Sequence, residues 1–183
     1  MTPEGETARL LLRPLALADA AQFQQLFPRW EVVRYLLDIV PWPYPADGAL
    51  RFIRDAALPA VARGDAWHWT LRLKNQPEQI IGHLDLRRGR EDNRGFWIGL
   101  PWQNRGLMSE ACLWSNDFWF DELGFKTMRV SKAAANAASR RISEKLGMRL
   151  VCTIEKNYVS GRLPTEIWEI TADEWRSWKA AHL

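Results

Sequence analysis

Hydrophobic positions change their spacing several times along this chain, and each change predicts an element. Leu10 to Leu12 form an apolar run closed by Arg13-Pro14, and a proline at that end predicts an opening edge strand. The segment "LADAAQFQQLF" has helical spacing, with Asp19 placed to cap it. Residues 40–64 begin with three prolines and continue with apolar residues at helical spacing until Gly64, which predicts a loop that leads into a helix. From Trp67 the runs "WHWTLRL", "IIGHLDLR" and "GFWIGL" are short, rich in aromatic and β-branched residues, and separated by the turn-prone "KNQPEQ" and "RGREDNR". They predict three consecutive antiparallel strands. "SEACLWSNDFWFDELG" sets a polar stripe of Glu110, Asp117 and Asp121 against an apolar one of Ala111, Trp114 and Phe118, as a surface helix does. "TMRVSKAA" supplies a strand and "AASRRISEKLG" a helix with Ala138, Ile142 and Leu146 as its buried stripe and an Arg140–Glu144 pair across one turn. "MRLVCTIEK" and "LPTEIWEIT" supply two more strands, and "ADEWRSWKAAH" a closing helix. This order argues for a mixed α/β (α+β) sheet with helices on its faces.

Composition narrows the class. A length of 183 residues suffices for one buried core, so residues 1–183 are read as a single domain. Eleven tryptophans exceed what that size ordinarily carries, and some of the indoles are expected to line a cavity. The formal charge of +3 comes from dispersed basic residues, which makes nucleic acid an unlikely partner but suits an acidic small ligand. Cys112 and Cys152 form no CxxC pair and sit in apolar contexts, so both are expected as buried free thiols and no metal is expected. The N-terminus has neither the basic start nor the apolar stretch of a signal peptide, and no run is long enough to span a bilayer, so a cytoplasmic protein without a membrane partner is expected.

After "GFWIGL", residues Gln103-Asn104-Arg105-Gly106-Leu107-Met108 cross to a helix expected to start near Ser109. A turn at a helix entrance aims unpaired backbone N–H groups at one point, the helix dipole adds positive potential, and phosphate is the natural occupant. Gly106 permits a positive φ or the close approach of a ligand. A plain connection capped by Ser109 or Asn104 accounts for the same residues. In "ANAASRRISEKLGM", Asn136 stands at the end of a strand, Ser139 three residues on, and Gly147 after one short helix; an N-cap and a first-turn serine account for these too.

Together, "FWIGLPWQNRGLMSEA" and "NAASRRISEKLGM" resemble two motifs of the GNAT superfamily of acetyl-CoA-dependent N-acetyltransferases, in particular its Rim-type branch of ribosomal-protein N-terminal acetyltransferases. The likeness runs over nearly the whole chain. It implies a mainly antiparallel twisted sheet of about seven strands, and acetyl-CoA as co-substrate with no metal. The main chain around Trp97 and Ile98 would pair with pantetheine, and Gln103, Asn104, Arg105, Gly106, Leu107 and Met108 would wrap the pyrophosphate. Asn136 would face the pantetheine arm, and Ser139 would protonate the departing thiolate. Met108 replaces the last small residue of the usual turn, Ser143 stands where many members carry a tyrosine, and Asn93 or Arg94 occupies the region of a glutamate base.

An amine attacks a thioester only when neutral, yet a lysine-like amine with a pKa of ~10.4 is mostly protonated at neutral pH. His83 and Asp85 share one sheet face, with His68 on the neighbouring strand, so His83 is a candidate base; a hydrogen-bonded sheet histidine beside an arginine-paired aspartate is the alternative. Glu166 and Tyr158 are further candidates. Among Trp30, Trp42, Tyr44, Trp67 and Trp69, the loop residues Trp42 and Tyr44 are singled out for the acceptor pocket. The chain is thus expected to acetylate a primary amine, on a small molecule or a protein N-terminus, as a monomer or homodimer. The alternative is an inactive acyl-CoA-binding regulatory module. A P-loop phosphotransferase is disfavoured, since the turn lacks the Gly-Lys-Ser/Thr ending.

Overall fold

Strict alternation in Trp67 to Leu73 sorts side chains onto two faces of a strand, and in the computed structural model both faces are covered. The structure describes residues 1–89 and 91–182. Its strands are β1 (Gly5–Glu6), β2 (Leu10–Pro14), β3 (Ala66–Leu73), β4 (Gln76–Arg87), β5 (Arg94–Ile98), β6 (Thr127–Ala133), β7 (Arg149–Tyr158) and β8 (Gly161–Thr171). Helices are α1 (Ala20–Leu26), α2 (Trp30–Val33), α3 (Gly48–Arg51), α4 (Leu58–Ala62), α5 (Leu107–Asp117), α6 (Ala137–Lys145) and α7 (Ala172–His182), with a wider-wound turn, Phe52–Ala57, joining α3 to α4.

Two antiparallel sheets result, ordered β1-β2-β3-β4-β5 and β6-β8-β7. They meet where Asn93 N–H donates to Arg129 O (2.7 Å) and the Asn93 side chain accepts from Arg129 N–H (2.8 Å). Beyond that point β5 and β6 diverge, and among the described residues no ladder joins Phe96–Ile98 to Ser131–Ala133. One face of the larger sheet buries Trp67, Trp69, Leu84 and Leu86 beneath α5 and the turn after it, with Trp69 packed edge-on against Trp114 and Phe118. The opposite face carries His68, Thr70, His83 and Trp97, and a second apolar cluster built from Phe23, Phe27, Val33 and Ile53 covers part of it.

Several sequence expectations are corrected here. The seven expected strands all form and β1 adds an eighth, so β2 is not the edge strand expected. Asp19 stands at the N-cap of α1 but its side chain does not cap that helix: one carboxylate oxygen accepts Ala16 N–H (2.9 Å), closing the short turn Leu17–Asp19, and the other pairs with Arg72 (2.7 Å). The helix after the turn begins at Leu107 rather than Ser109. On α6 the buried positions are Ser139, Ser143 and Leu146, whereas Ala138 is exposed, and Arg140 pairs with Glu166 (2.8 Å) instead of Glu144. Cys112 is buried but Cys152 is exposed on β7, the outer strand of the smaller sheet. Arg90, in the expected turn "RGREDNR", lies outside the described residues.

Candidate functional site

The divergence of β5 from β6 opens a cavity of about 1100 Å³, walled by the first helices, the two strands, the turn after β5 and the start of α6. Gly99 N–H donates to Ile81 O (2.8 Å), and in an antiparallel ladder the next hydrogen-bonded pair is then His83 with Trp97. Trp97 therefore spends its main-chain groups on β4, and the groups of Phe96 and Ile98 face the cleft. Ile98 O accepts from the Gln103 side chain (3.1 Å), which ties the turn to the strand.

Gly106 precedes α5 with φ +76°, and Asn104 also lies in the left-handed region at φ +58°. The first helical hydrogen bond is Glu110 N–H to Gly106 O (3.1 Å), so the amides of Leu107, Met108 and Ser109 have no partner within the helix. Arg9 holds the turn from outside through Arg105 O (3.0 Å) and Glu110 (2.7 Å). Met108 is buried in the main core, so its bulk points away from the turn and leaves the amides clear. Arg105, Arg141 and Lys145 add positive charge along the same wall. Unpaired amides, a helix dipole and three cations fit an anion such as a pyrophosphate.

Facing β5 across the cleft, Asn136 caps α6 by accepting Ser139 N–H (3.2 Å). Ser139 Oγ accepts from Lys132 Nζ (2.8 Å). Lys132 was not singled out from the sequence, although a signal existed: it is in period-2 register with Met128 and Val130, on the buried side of β6. Burial, reinforced by the neighbouring Arg94, pushes its ammonium down to about 7. Asp92 was also missed, since nothing distinguishes it within a polar turn. It lines the cavity, accepts Ser131 N–H (3.0 Å), and has its carboxyl pushed up by burial against the opposing pull of Arg87.

His83 lines the cavity but is only 3% exposed. It shares a hydrogen bond with His68 (3.1 Å), and burial pushes it down to about 3 despite the Asp85 carboxylate nearby. For Asp85, burial opposes ionisation, but Arg87 (2.9 Å) and the two histidines outweigh it and hold the carboxyl low. His68, His83 and Asp85 have potential ligand atoms within 4.8 Å of one another, but the histidines bond to each other and Asp85 to Arg87. Asn93 and Arg94 act as ties: the Asn93 amide donates to Arg87 O (3.2 Å) and Gly89 O (3.1 Å), while Arg94 reaches Asn116 and Cys112 O.

Tyr44 lines the cavity, packs edge-on against Phe27, and has its phenol pushed up to about 12 by burial. Trp42 is 42% exposed and packs on Trp30 outside the lining. Trp67 and Trp69 belong to the core on the other sheet face. Tyr158 lines the cavity with its hydroxyl bonded to Thr165 (2.8 Å), and Glu166 is taken by Arg140 and by Trp168 Nε1 (3.0 Å). Among the described residues no helix is long and apolar enough to cross a membrane.

A family model described as an acetyltransferase (GNAT) domain matches residues 9–149. Similar solved structures include RimJ from Mycobacterium smegmatis in complex with a coenzyme A disulfide (TM-score 0.81, 15% identity, covering 99% of this chain and 97% of that one). A ribosomal-protein alanine acetyltransferase from Vibrio fischeri gives a TM-score of 0.79 at 14% identity, over 94% of this chain and 98% of its own. A RimL ribosomal alpha-N-protein acetyltransferase in complex with coenzyme A gives 0.78 at 14% identity, over 92% and 97%. A search of curated protein sequences finds no match.

Proposed function

The chain belongs to the GNAT acetyltransferase family, and from that premise we propose that it moves an acetyl group from acetyl-CoA to a primary amine by direct attack on the thioester. The observation that carries this reading is the convergence of unpaired amides at Leu107–Ser109 on the mouth of a cavity that has the open edge of β5 as one wall and Ser139 as the other. In this reading residues 103–108 hold the pyrophosphate, and the cleft-facing main-chain groups of Phe96 and the Ile98 N–H hold the pantetheine arm, while Ile98 O stays with Gln103. Asn136 fixes the first turn of α6, and Ser139 delivers a proton to the leaving sulfur. Acetyl-CoA supplies the activated acyl group.

The acceptor enters from the side of α1, α3 and the proline-rich loop, where Phe27 and Tyr44 offer an apolar wall and Glu31 offers a carboxylate. Asp92 is the base we assign, because burial raises its carboxyl toward the operating pH, whereas a histidine held near 3 is too weak a base for an amine proton. The acceptors named for RimL-like proteins make a protein N-terminus one amine class to test.

The test is calorimetric titration with acetyl-CoA, followed by a thiol-release screen across small amines, amino acids and peptides with free N-termini. Binding with amine-dependent thiol release is expected. Binding without release under any amine would overturn the transfer reading in favour of a coenzyme-binding module, and no binding would overturn the site.

A further inference from the structure

A lysine buried for structural reasons ordinarily finds a carboxylate. Lys132 does not. It is 6% exposed, and Glu166, its partner across the β6–β8 ladder, is held by Arg140 and Trp168. Around the Lys132 ammonium stand the Ser139 hydroxyl from α6 (2.8 Å) and, from β5, the Phe96 ring (4.8 Å to its centre) and the like-charged Arg94. Cys112 from α5 is buried as a neutral thiol, and Asp92, from the turn before β5, acts only at longer range while it accepts Ser131 N–H. An ammonium has three protons to donate, and among the described residues this one makes one hydrogen bond. Its single partner is the serine that the transfer reading puts at the leaving sulfur.

We propose that Lys132 is a positioning residue that acts through Ser139, fixing the serine hydroxyl with its proton turned to the departing thiolate and replacing that proton once it is given up. With Lys132 Nζ donating to Ser139 Oγ, the serine lone pair on that side is occupied and its own O–H is free to donate into the cavity. The amine nitrogen forms its bond to the acetyl carbon and the carbon–sulfur bond breaks. Sulfur takes the Ser139 proton, Ser139 takes one from Lys132, and the proton lost by the attacking nitrogen leaves through the base and water, from which Lys132 is recharged. The sum is amine plus thioester giving amide plus thiol, with no other reactant. Arg94 favours the transfer, because a second cation nearby makes the ammonium readier to release its proton.

This inference rests on the transfer reading and is tested beside it in the intact protein, with acetyl-CoA and an amine found to support thiol release. Lys132→Met should lower kcat about 100-fold, as removal of a proton-transfer group does, with little change in KM for acetyl-CoA. The parent kcat should fall as pH rises through about 7, where Lys132 loses its proton, and Lys132→Met should lack that limb. In a Ser139→Ala background, Lys132→Met should cost nothing further. Lys132→Arg keeps the charge but holds its proton at every working pH, so it should not restore turnover. The inference is overturned if Lys132→Met matches the parent, if the two single losses multiply, if Lys132→Arg restores kcat, or if acetyl-CoA alone acetylates Lys132. These results leave the transfer reading standing, whereas a parent protein that binds acetyl-CoA and releases no thiol with any amine overturns both.

Discussion

Replacing Gly106 with alanine separates the conformation of the turn from its contents. A Cβ built there would meet only Arg9 Nη2, at 3.5 Å, so no clash opposes the substitution. What opposes it is φ +76°, where an L-residue costs ~1–2 kcal/mol. The chain can accept that cost as lost stability, or relax φ and swing the amides of residues 107–109 off their common point. Gly64 provides the control: it has nearly the same φ, +75°, and nothing within 4 Å of its added Cβ. Gly64→Ala and Gly106→Ala should therefore lose similar stability in denaturant titrations, about 1–2 kcal/mol each. Only Gly106→Ala should weaken coenzyme A, by roughly tenfold, which corresponds to ~1.4 kcal/mol and lies within what a helix terminus contributes to an anion. Calorimetry with coenzyme A and with its dephosphorylated pantetheine fragment measures the difference. The loss should appear for coenzyme A and be absent for the fragment, which has no pyrophosphate. Equal affinity of parent and Gly106→Ala for coenzyme A, at unchanged Gly64→Ala affinity, would refute the assignment of the turn to an anion.

The remaining predictions concern buried charge. Asp19 and Arg72 pair at 2.7 Å with side chains 11% and 8% exposed, so Asp19→Ala should cost about 3–5 kcal/mol in denaturant unfolding. An Asp19→Ala/Arg72→Met double variant should recover part of that loss, since it removes the stranded cation. His83 is pushed down from 6.5 to about 3, so below pH 6.5 the unfolded chain binds a proton that the folded chain refuses. Stability should fall as pH drops from 6.5 toward 3, His83→Gln should flatten part of that slope, and a parent with pH-independent stability over this range would contradict the burial of a neutral imidazole. Asp92→Asn should lower kcat by about 100-fold while His83→Gln leaves its pH profile in place, and the reverse pattern would return the base to His83.

The fold was legible because the period of hydrophobicity changes sharply at Trp67 and again at the helices. Alternation in "WHWTLRL" forces a strand, and the two-residue hairpin at Lys74-Asn75 follows from Leu73 pairing with Gln76. Sequence missed β1 because two residues make no period, and it misplaced Asp19 because a local cap and a partner 53 residues away use the same carboxylate. The α6 stripe held at Leu146 and in part at Ile142, which packs on the core, and failed at Ala138. Hydrophobicity put Ala138 inside, but the face turned inward carries two serines, and a polar inward face has no signature in a hydrophobic pattern.

That last failure shows where the site lay in the sequence. Period-2 alternation ordinarily separates a buried face from a wet one, and on that basis His68, Thr70 and Arg72 would be solvated. Instead they are as buried as Trp67, Trp69 and Leu71. A sheet that buries its polar face must satisfy those groups internally, and here the histidines satisfy each other and Arg72 takes Asp19. On β6 the reverse holds: Lys132 interrupts the buried face begun by Met128 and Val130, and among the described residues no carboxylate pairs with it. A residue placed by the period of its strand but left without a counter-charge is held only by the Ser139 hydroxyl and the Phe96 ring, and burying its ammonium costs folding free energy. The rest of the fold bears that cost, and the use that the transfer reading gives this position is as a proton source behind Ser139.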